Sequence, residues 1–256
     1  MKKLLVIAGS DSSAGAGIQA DVKTAQAFGV YAQTAITAIT VQDTTQVYSV
    51  HPLAPDVVRA QIAAALNDIG ADAVKIGMLA NAGIAAAVAD ALDGSDSPLV
   101  LDTVLLSSSG AALLDRDGIA ILKNRLVPRA LLLTPNLPEA ETLTGILPDN
   151  EHRLRNAAMA FKLMGADNVL FKGGHGTGGV LRDVLWSGEN FTAFDASRQE
   201  TAHTHGTGCT LATAIACGLA LGQSLDEAVA RAHAYVQQAI RTAPGLGSGH
   251  GPLNHR

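Results

Sequence analysis

Residues 203–214 read HTHGTGCTLATA, and this stretch organises the chain. Its left half is polar and glycine-rich. From Leu211 to Leu219 the residues are small and apolar, interrupted only by Thr213 and Gly218. That is how a buried helix begins behind a tight loop. Gly206 and Gly208 let the backbone turn sharply and approach a ligand closely. The first backbone N–H groups of a helix have no partner within it, and the dipole adds partial positive charge there. Such a turn suits an anion, phosphate above all. The stretch is therefore expected to hold a transferring phosphate at Gly206, Thr207, Gly208 and Cys209. Cys209 would face the group that receives it.

Blander readings stand beside this one. A glycine loop before a helix is often only a connection, and a Cys there is often a small buried hydrophobe. His205 and Cys209 also raise a Cys–His dyad or a zinc site. His205, however, precedes the glycines and should lie outside the helix, so helical spacing does not align the two. Two cysteines and scattered histidines make no zinc-ligand pattern.

Outward from this stretch, apolar runs of strand length alternate with helical spacing. Leu4–Ala8, Tyr31–Val41, Ala73–Ile76, Leu99–Leu101, Ala130–Leu133 and Val169–Phe171 read as strands. Val180–Trp186 and Asn190–Phe194 read as a hairpin. Ile18–Phe28, Asp56–Ile69, Ala82–Leu92, Asp115–Leu126, His152–Met164 and Leu225–Thr242 read as helices, with a short helix carrying Glu139. The tail from Pro244 reads as coil. This alternation predicts an α/β fold with a mostly parallel central sheet and helices on both faces. No linker divides the chain, so one domain spanning 1–256 is expected.

Composition narrows the function classes. The net charge of −5 gives no general attraction to nucleic acid or to an anionic membrane. No apolar run approaches the roughly 20 residues of a membrane span. The N-terminal apolar run stops at Gly9, too short for a signal peptide. Cys209 and Cys217 would lie about 12 Å apart along one helix, beyond disulfide reach. A reduced, cytoplasmic protein is expected.

In such sheets ligands bind at the carboxyl ends of the strands. The loops there carry the unusual residues: Gly9 to Gly17, Gln42-Asp43, Gly77-Met78, Asp102 to Gly110, Asn136 to Glu139 and Lys172 to Gly179. Gly15-Ala16-Gly17-Ile18-Gln19-Ala20 matches a dinucleotide fingerprint, with Asp43 near the offset of a ribose-binding acid. Six residues separate that glycine from the first strand, whereas the fingerprint follows its strand directly. No G-x-x-x-x-G-K-[ST] occurs. Asp102 and Glu139 each follow a strand end, as carboxylates for a divalent metal or as ordinary loop or cap residues. Lys172 reads as a phosphate contact or a solvated strand end.

Several motifs together resemble one family. They are Ala8-Gly9-Ser10-Asp11 with Gly15–Asp21, Lys75-Ile76-Gly77-Met78-Leu79, Thr134–Glu141, Lys172-Gly173-Gly174-His175, His203–Leu211 and Gly249–His255. The chain resembles, nearly end to end, the hydroxymethylpyrimidine and phosphomethylpyrimidine kinases of thiamin biosynthesis, in the ribokinase-like superfamily. The resemblance implies a three-layer sandwich. It also implies phosphorylation of 4-amino-5-hydroxymethyl-2-methylpyrimidine to the monophosphate and then the diphosphate, with ATP and Mg2+, by a homodimer. Carried over by position, Gln42 would hydrogen-bond the pyrimidine, with Gly9, Asp21, Met78 and Val104 around it. Asn136, Lys172 and Thr204 would serve ATP, with Asp102 and Glu139 at the metal. Gly206 to Gly208 would form the anion hole. Cys209 stands where most of the superfamily has Asp. Ser108 stands where the family often has Lys, which puts one phosphate contact in doubt.

Two rival readings remain. A pyridoxal kinase of the same branch binds another flat heteroaromatic alcohol, but the Gln42 amide can both donate and accept, which suits an aminopyrimidine. A ligand-binding sensor that lost catalysis would be expected to lack the carboxylates, the anion loop or Cys209, and all are present.

Overall fold

The computed structural model describes residues 1–106, 112–173 and 179–256. Among the described residues nine strands form one sheet in the order β3-β2-β1-β4-β5-β6-β7-β8-β9. They are β1 (Lys3–Asp11), β2 (Tyr31–Gln42), β3 (Val47–Pro52), β4 (Ala73–Ile76), β5 (Leu99–Leu101), β6 (Leu132–Leu133), β7 (Asn168–Phe171), β8 (Val180–Ser187) and β9 (Asn190–Ser197). Strands β2, β1, β4, β5, β6 and β7 run parallel. Strand β3 at one edge and β8 and β9 at the other are antiparallel to their neighbours.

The α-helices among the described residues are α1 (Gly17–Ala27), α2 (Pro55–Asp68), α3 (Ala82–Leu92), α4 (Arg116–Ile121), α5 (Leu137–Thr144), α6 (Glu151–Leu163), α7 (Thr207–Ala220) and α8 (Leu225–Arg241). They cover the sheet on both faces. Leu5 and Ile7 of β1 face a core that includes Val58, Ile62, Ile84, Val88, Leu143 and Phe161, from α2, α3, α5 and α6. Leu4 and Val6 face the opposite core, with Ile18, Leu211, Ile215 and Val229 from α1, α7 and α8. Alternate side chains of one strand thus feed two cores, which is why β1 is apolar without a break. The three-layer α/β sandwich expected from the sequence is present.

Local departures have physical reasons. Strand β1 runs on to Asp11, past a register shift between Ala8 and Ser10. Strand β3 was not anticipated: VYSVHP ends in proline and lies half-exposed at an edge, so it lacks a buried-strand signature. The helix expected over Asp115–Leu126 is α4 followed by a π-helical turn (Leu122–Leu126) and a 3-10 turn (Val127–Arg129) ahead of a shortened β6. Among the described residues no helix is long and apolar enough to cross a membrane.

Candidate active site at the strand ends

Strand order reverses between β1 and β4, because β1 connects to β2 on one side while β4 continues on the other. A crevice at such a switch point is where open α/β sheets take ligands. Gly9, at the register shift of β1, lies against Met78 after β4; a Cβ there would sit 3.1 Å from Met78 Sδ. A second shift falls between Val41 and Gln42 at the end of β2. Such irregularities re-aim side chains. The Gln42 backbone is fixed by Ser12, whose Oγ donates to Gln42 O at 2.6 Å and accepts from Gln42 N at 2.9 Å.

Helix α7 opens on Gly206, whose φ of +84° suits glycine, and no side chain caps it. A Cβ on Gly206 would run into the Gly15 carbonyl, and one on Gly17 into that of Gly9. The loop that opens α7 is therefore seated on the loop that follows β1. The requirement for glycine at 206 comes from this packing as well as from any ligand. Thr207 Oγ1 donates to Thr204 O at 2.6 Å, which leaves the Thr204 side chain at the exposed rim.

Asp11 binds the two loops together. Its carboxylate accepts from the N–H groups of Ser13, Gly15 and Ala16 and pairs with His205 Nε2 at 2.9 Å. Burial works against its charge. Bonds from His205, Ser13, Gln42 and Ala16 outweigh that and hold the carboxyl well below the usual carboxylate range. His205 lies before the helix, as its position ahead of the glycines implied.

On the other side, Lys172 Nζ donates to Asp102 Oδ1 at 2.8 Å, and Thr134 Oγ1 donates to the same oxygen at 2.9 Å. A Cβ on Gly208 would stand 3.4 Å from Lys172 Nζ and 3.7 Å from Asp102 Oδ2. The first turn of α7 thus faces both charges. Glu139 closes a capping box with Asn136: its Oε2 accepts from Asn136 N at 2.9 Å and from Thr103 Oγ1 at 3.2 Å. Asn136 and Lys172 lie side by side where β6 and β7 end. Burial opposes the charge on Lys172, but Asp102 and Glu139 keep it above the ordinary lysine value. Burial also raises Glu139, with Lys172 pulling back.

Cys209 feels the charges of two pairs, Asp102–Lys172 and Asp21–Lys75. Burial pushes its thiol up to about 11; Lys75 lowers it, and Asp21 and Asp102 raise it. Asp21 is fully buried, held by Lys75 Nζ at 2.9 and 3.0 Å and by Thr213 Oγ1 at 2.6 Å. It anchors α1 to β4 and α7. Lys75 carried a signal that the motif reading left unused: a lysine inside the apolar strand AVKI needs a buried partner. Val104 is half-buried just after β5. Ser108 and the stretch 174–178 lie outside the described residues.

Asp43, the candidate ribose acid of the dinucleotide reading, instead ties the β2–β3 turn, accepting from Thr45 N and Oγ1, Gln46 N and Tyr48 Oη. Two surface hollows, one lined by Pro55, Arg59 and Asp90 and one by Glu141, His152 and Arg153, share no residue with this site.

The phosphomethylpyrimidine kinase family model matches residues 11–254. The chain belongs to this family. It is 44% identical over 255 residues to the hydroxymethylpyrimidine/phosphomethylpyrimidine kinase of Bacillus subtilis, covering 99% of this chain and 94% of that protein. It is 47% identical over 253 residues to the thiamine biosynthesis bifunctional protein ThiED of Geobacter sulfurreducens; the match covers 98% of this chain but only 52% of that longer protein. Among solved structures, the Bacillus subtilis pyridoxal kinase in its ADP complex superposes with a TM-score of 0.91 at 35% identity, covering 100% of this chain and 97% of that one. The chain is a kinase of ribokinase-like fold.

Proposed function

We propose that residues 1–256 act as one kinase domain. It phosphorylates 4-amino-5-hydroxymethyl-2-methylpyrimidine with ATP, first on the hydroxymethyl group and then on the resulting phosphate. The observation that carries this reading is the continuity of the site. Gly9 lies against Met78, Gly17 against Gly9, Gly206 against Gly15, and Gly208 faces Lys172 and Asp102. An acceptor beside Gln42 and Met78 would therefore present its hydroxyl near Cys209, with the phosphates against Lys172.

The residues present fit a magnesium ion. Mg2+ keeps several waters and needs only one or two carboxylates. Asp102 and Glu139 supply two, and their described bonds fall on Oδ1 and Oε2 alone. Bound there, the ion would neutralise phosphate charge. The protein's own groups do the rest. Lys172 neutralises a phosphate oxygen, the amides of the first turn of α7 stabilise the transferring group, and Gln42 orients the ring. Asn136 and Thr204 flank the nucleotide side. Cytoplasmic location and a homodimer complete the reading, on the family resemblance and on two free cysteines.

Pyridoxal kinase is the second reading, favoured by the close superposition on such an enzyme. One experiment tests both. The protein is incubated with Mg-ATP and either the pyrimidine alcohol or pyridoxal, and the products are identified by mass. The monophosphate and diphosphate of the pyrimidine are expected. Turnover of pyridoxal alone overturns the proposal.

A further inference from the structure

The motif Gly249–His255 is left without a role by the chemistry above. We propose that residues 247–255 are a positioning element of the reaction: they tie the turn beside Gln42 to the loop that opens α7, so that the pyrimidine side and the phosphate side bind cooperatively. This inference rests on the functional reading above.

The first contact is with the β2–β3 turn. His250 N donates to Thr44 O at 2.7 Å, and Gly249 N donates to Thr44 Oγ1 at 3.2 Å. A Cβ on Gly249 would run into the Thr44 carbonyl, so only glycine permits this approach. Thr44 is two residues from Gln42, inside a turn already stiffened by Asp43. The turn belongs to the hairpin whose β3 is the edge of the sheet among the described residues. Edge hairpins are among the segments that open locally at low free energy, so an external tie changes how well Gln42 is held.

The second contact is with the loop before α7. His250 Nδ1 meets Ala202 O at 3.1 Å, and His205 N donates to Gly251 O at 3.1 Å. A Cβ on Gly251 would strike the His203 ring. His205 is the residue paired with Asp11, one position before Gly206.

The far end of the segment is fixed in the body of the protein. Leu253 is buried, Asn254 N donates to Ala239 O at 3.1 Å, and His255 Nε2 meets Thr210 Oγ1 at 3.0 Å. The segment is thus a short main-chain bridge, anchored on α7 and α8, that grips both loops at once. Ordering either loop restrains the bridge and so lowers the entropy lost in ordering the other. That is positive coupling between two ligands, and it is reciprocal.

Calorimetry on the full chain tests this. The affinity for the pyrimidine alcohol is measured with and without saturating Mg–AMP-PCP, in the wild type, Gly249→Ala and His250→Ala. The wild type should bind the pyrimidine at least tenfold more tightly with the nucleotide analogue present. Gly249→Ala should bring that factor close to one. His250→Ala keeps the main-chain bond to Thr44, loses the contact to Ala202, and should reduce the factor at least threefold; it serves if Gly249→Ala does not fold. A lesion that only weakens the fold would lower the melting temperature and leave the factor intact. A wild-type factor of one, or a factor preserved in a folded variant, overturns the inference and leaves the functional reading standing. Failure of the wild type to bind the pyrimidine at all overturns both.

Discussion

Lys75 Nζ lies 2.9 Å from Asp21 Oδ2, and both side chains are wholly excluded from solvent. They come from β4 and α1, and Thr213 of α7 adds a third bond. Burial lowers the Lys75 pKa, but Asp21 above all, with Cys209 and Asp102, raises it beyond the ordinary lysine value. The pair fixes α7, whose first turn faces Lys172 and Asp102.

Lys75→Met should therefore be strongly destabilising. It strands a carboxylate in the core, and losing one member of a buried pair costs about 3–5 kcal/mol. Denaturant midpoints of Lys75→Met and of the double variant Asp21→Asn/Lys75→Met give the check. The double variant should regain most of the loss, because no charge is left unpaired. Equal destabilisation of single and double variants would show that packing around the Lys75 stem, not the charge, is what matters.

Much of this molecule was legible in the sequence, for a reason visible in β1, β4 and β5. A parallel strand covered on both faces must be apolar throughout, so the run itself marks it. Helix α7 was legible because its apolar continuation follows a glycine loop. What escaped was long-range or half-exposed. Strand β3 buries too little to leave a pattern. Asp21 and Lys75 are 54 residues apart, and nothing local in either names the other. The same holds for Asp11 and His205, 194 residues apart. Motif position singled out Asp21 but could not name Lys75 as its partner.

Gln42→Leu tests the pyrimidine side. The Gln42 backbone is held by Ser12, so its replacement should leave the strand end in place. One lost neutral hydrogen bond is worth about 1 kcal/mol, roughly a fivefold rise in the KM for the pyrimidine alcohol. The KM for ATP should hardly change. An equal loss on the ATP side would remove Gln42 from the acceptor pocket.

His255 predicts a pH dependence of stability. Burial, with Lys23 the next cause, pushes its pKa from 6.5 down to about 4. Between those values the unfolded chain binds a proton that the folded chain refuses. Stability is therefore full above pH 6.5 and falls as the pH drops toward 4. From pH 7 to pH 5 the loss from this group should be about 2 kcal/mol. Melting temperatures of the wild type and His255→Gln over that range give the measurement. The variant should show a shallower decline, and parallel curves would refute the assignment.

Cys209 separates the two phosphorylations. In the first, the acceptor is a neutral hydroxymethyl group that must lose a proton, and a positioned base contributes roughly a hundred- to ten-thousand-fold. In the second, the acceptor is a phosphate oxygen, already anionic, that needs only positioning and charge neutralisation. Only the thiolate of Cys209 can accept a proton, and burial pushes the thiol up to about 11. At pH 7.5 about one molecule in three thousand would carry the thiolate. The single-turnover rate of the first step should then climb about tenfold per pH unit between pH 7 and pH 9, because the ionised fraction does. The second step, started from the monophosphate, should stay nearly flat over the same range. Cys209→Ala should slow the first step by orders of magnitude and abolish its slope, while slowing the second much less. If both steps fall by one factor, or the first-step profile is flat in the wild type, Cys209 supports the first turn of α7 and is not the base.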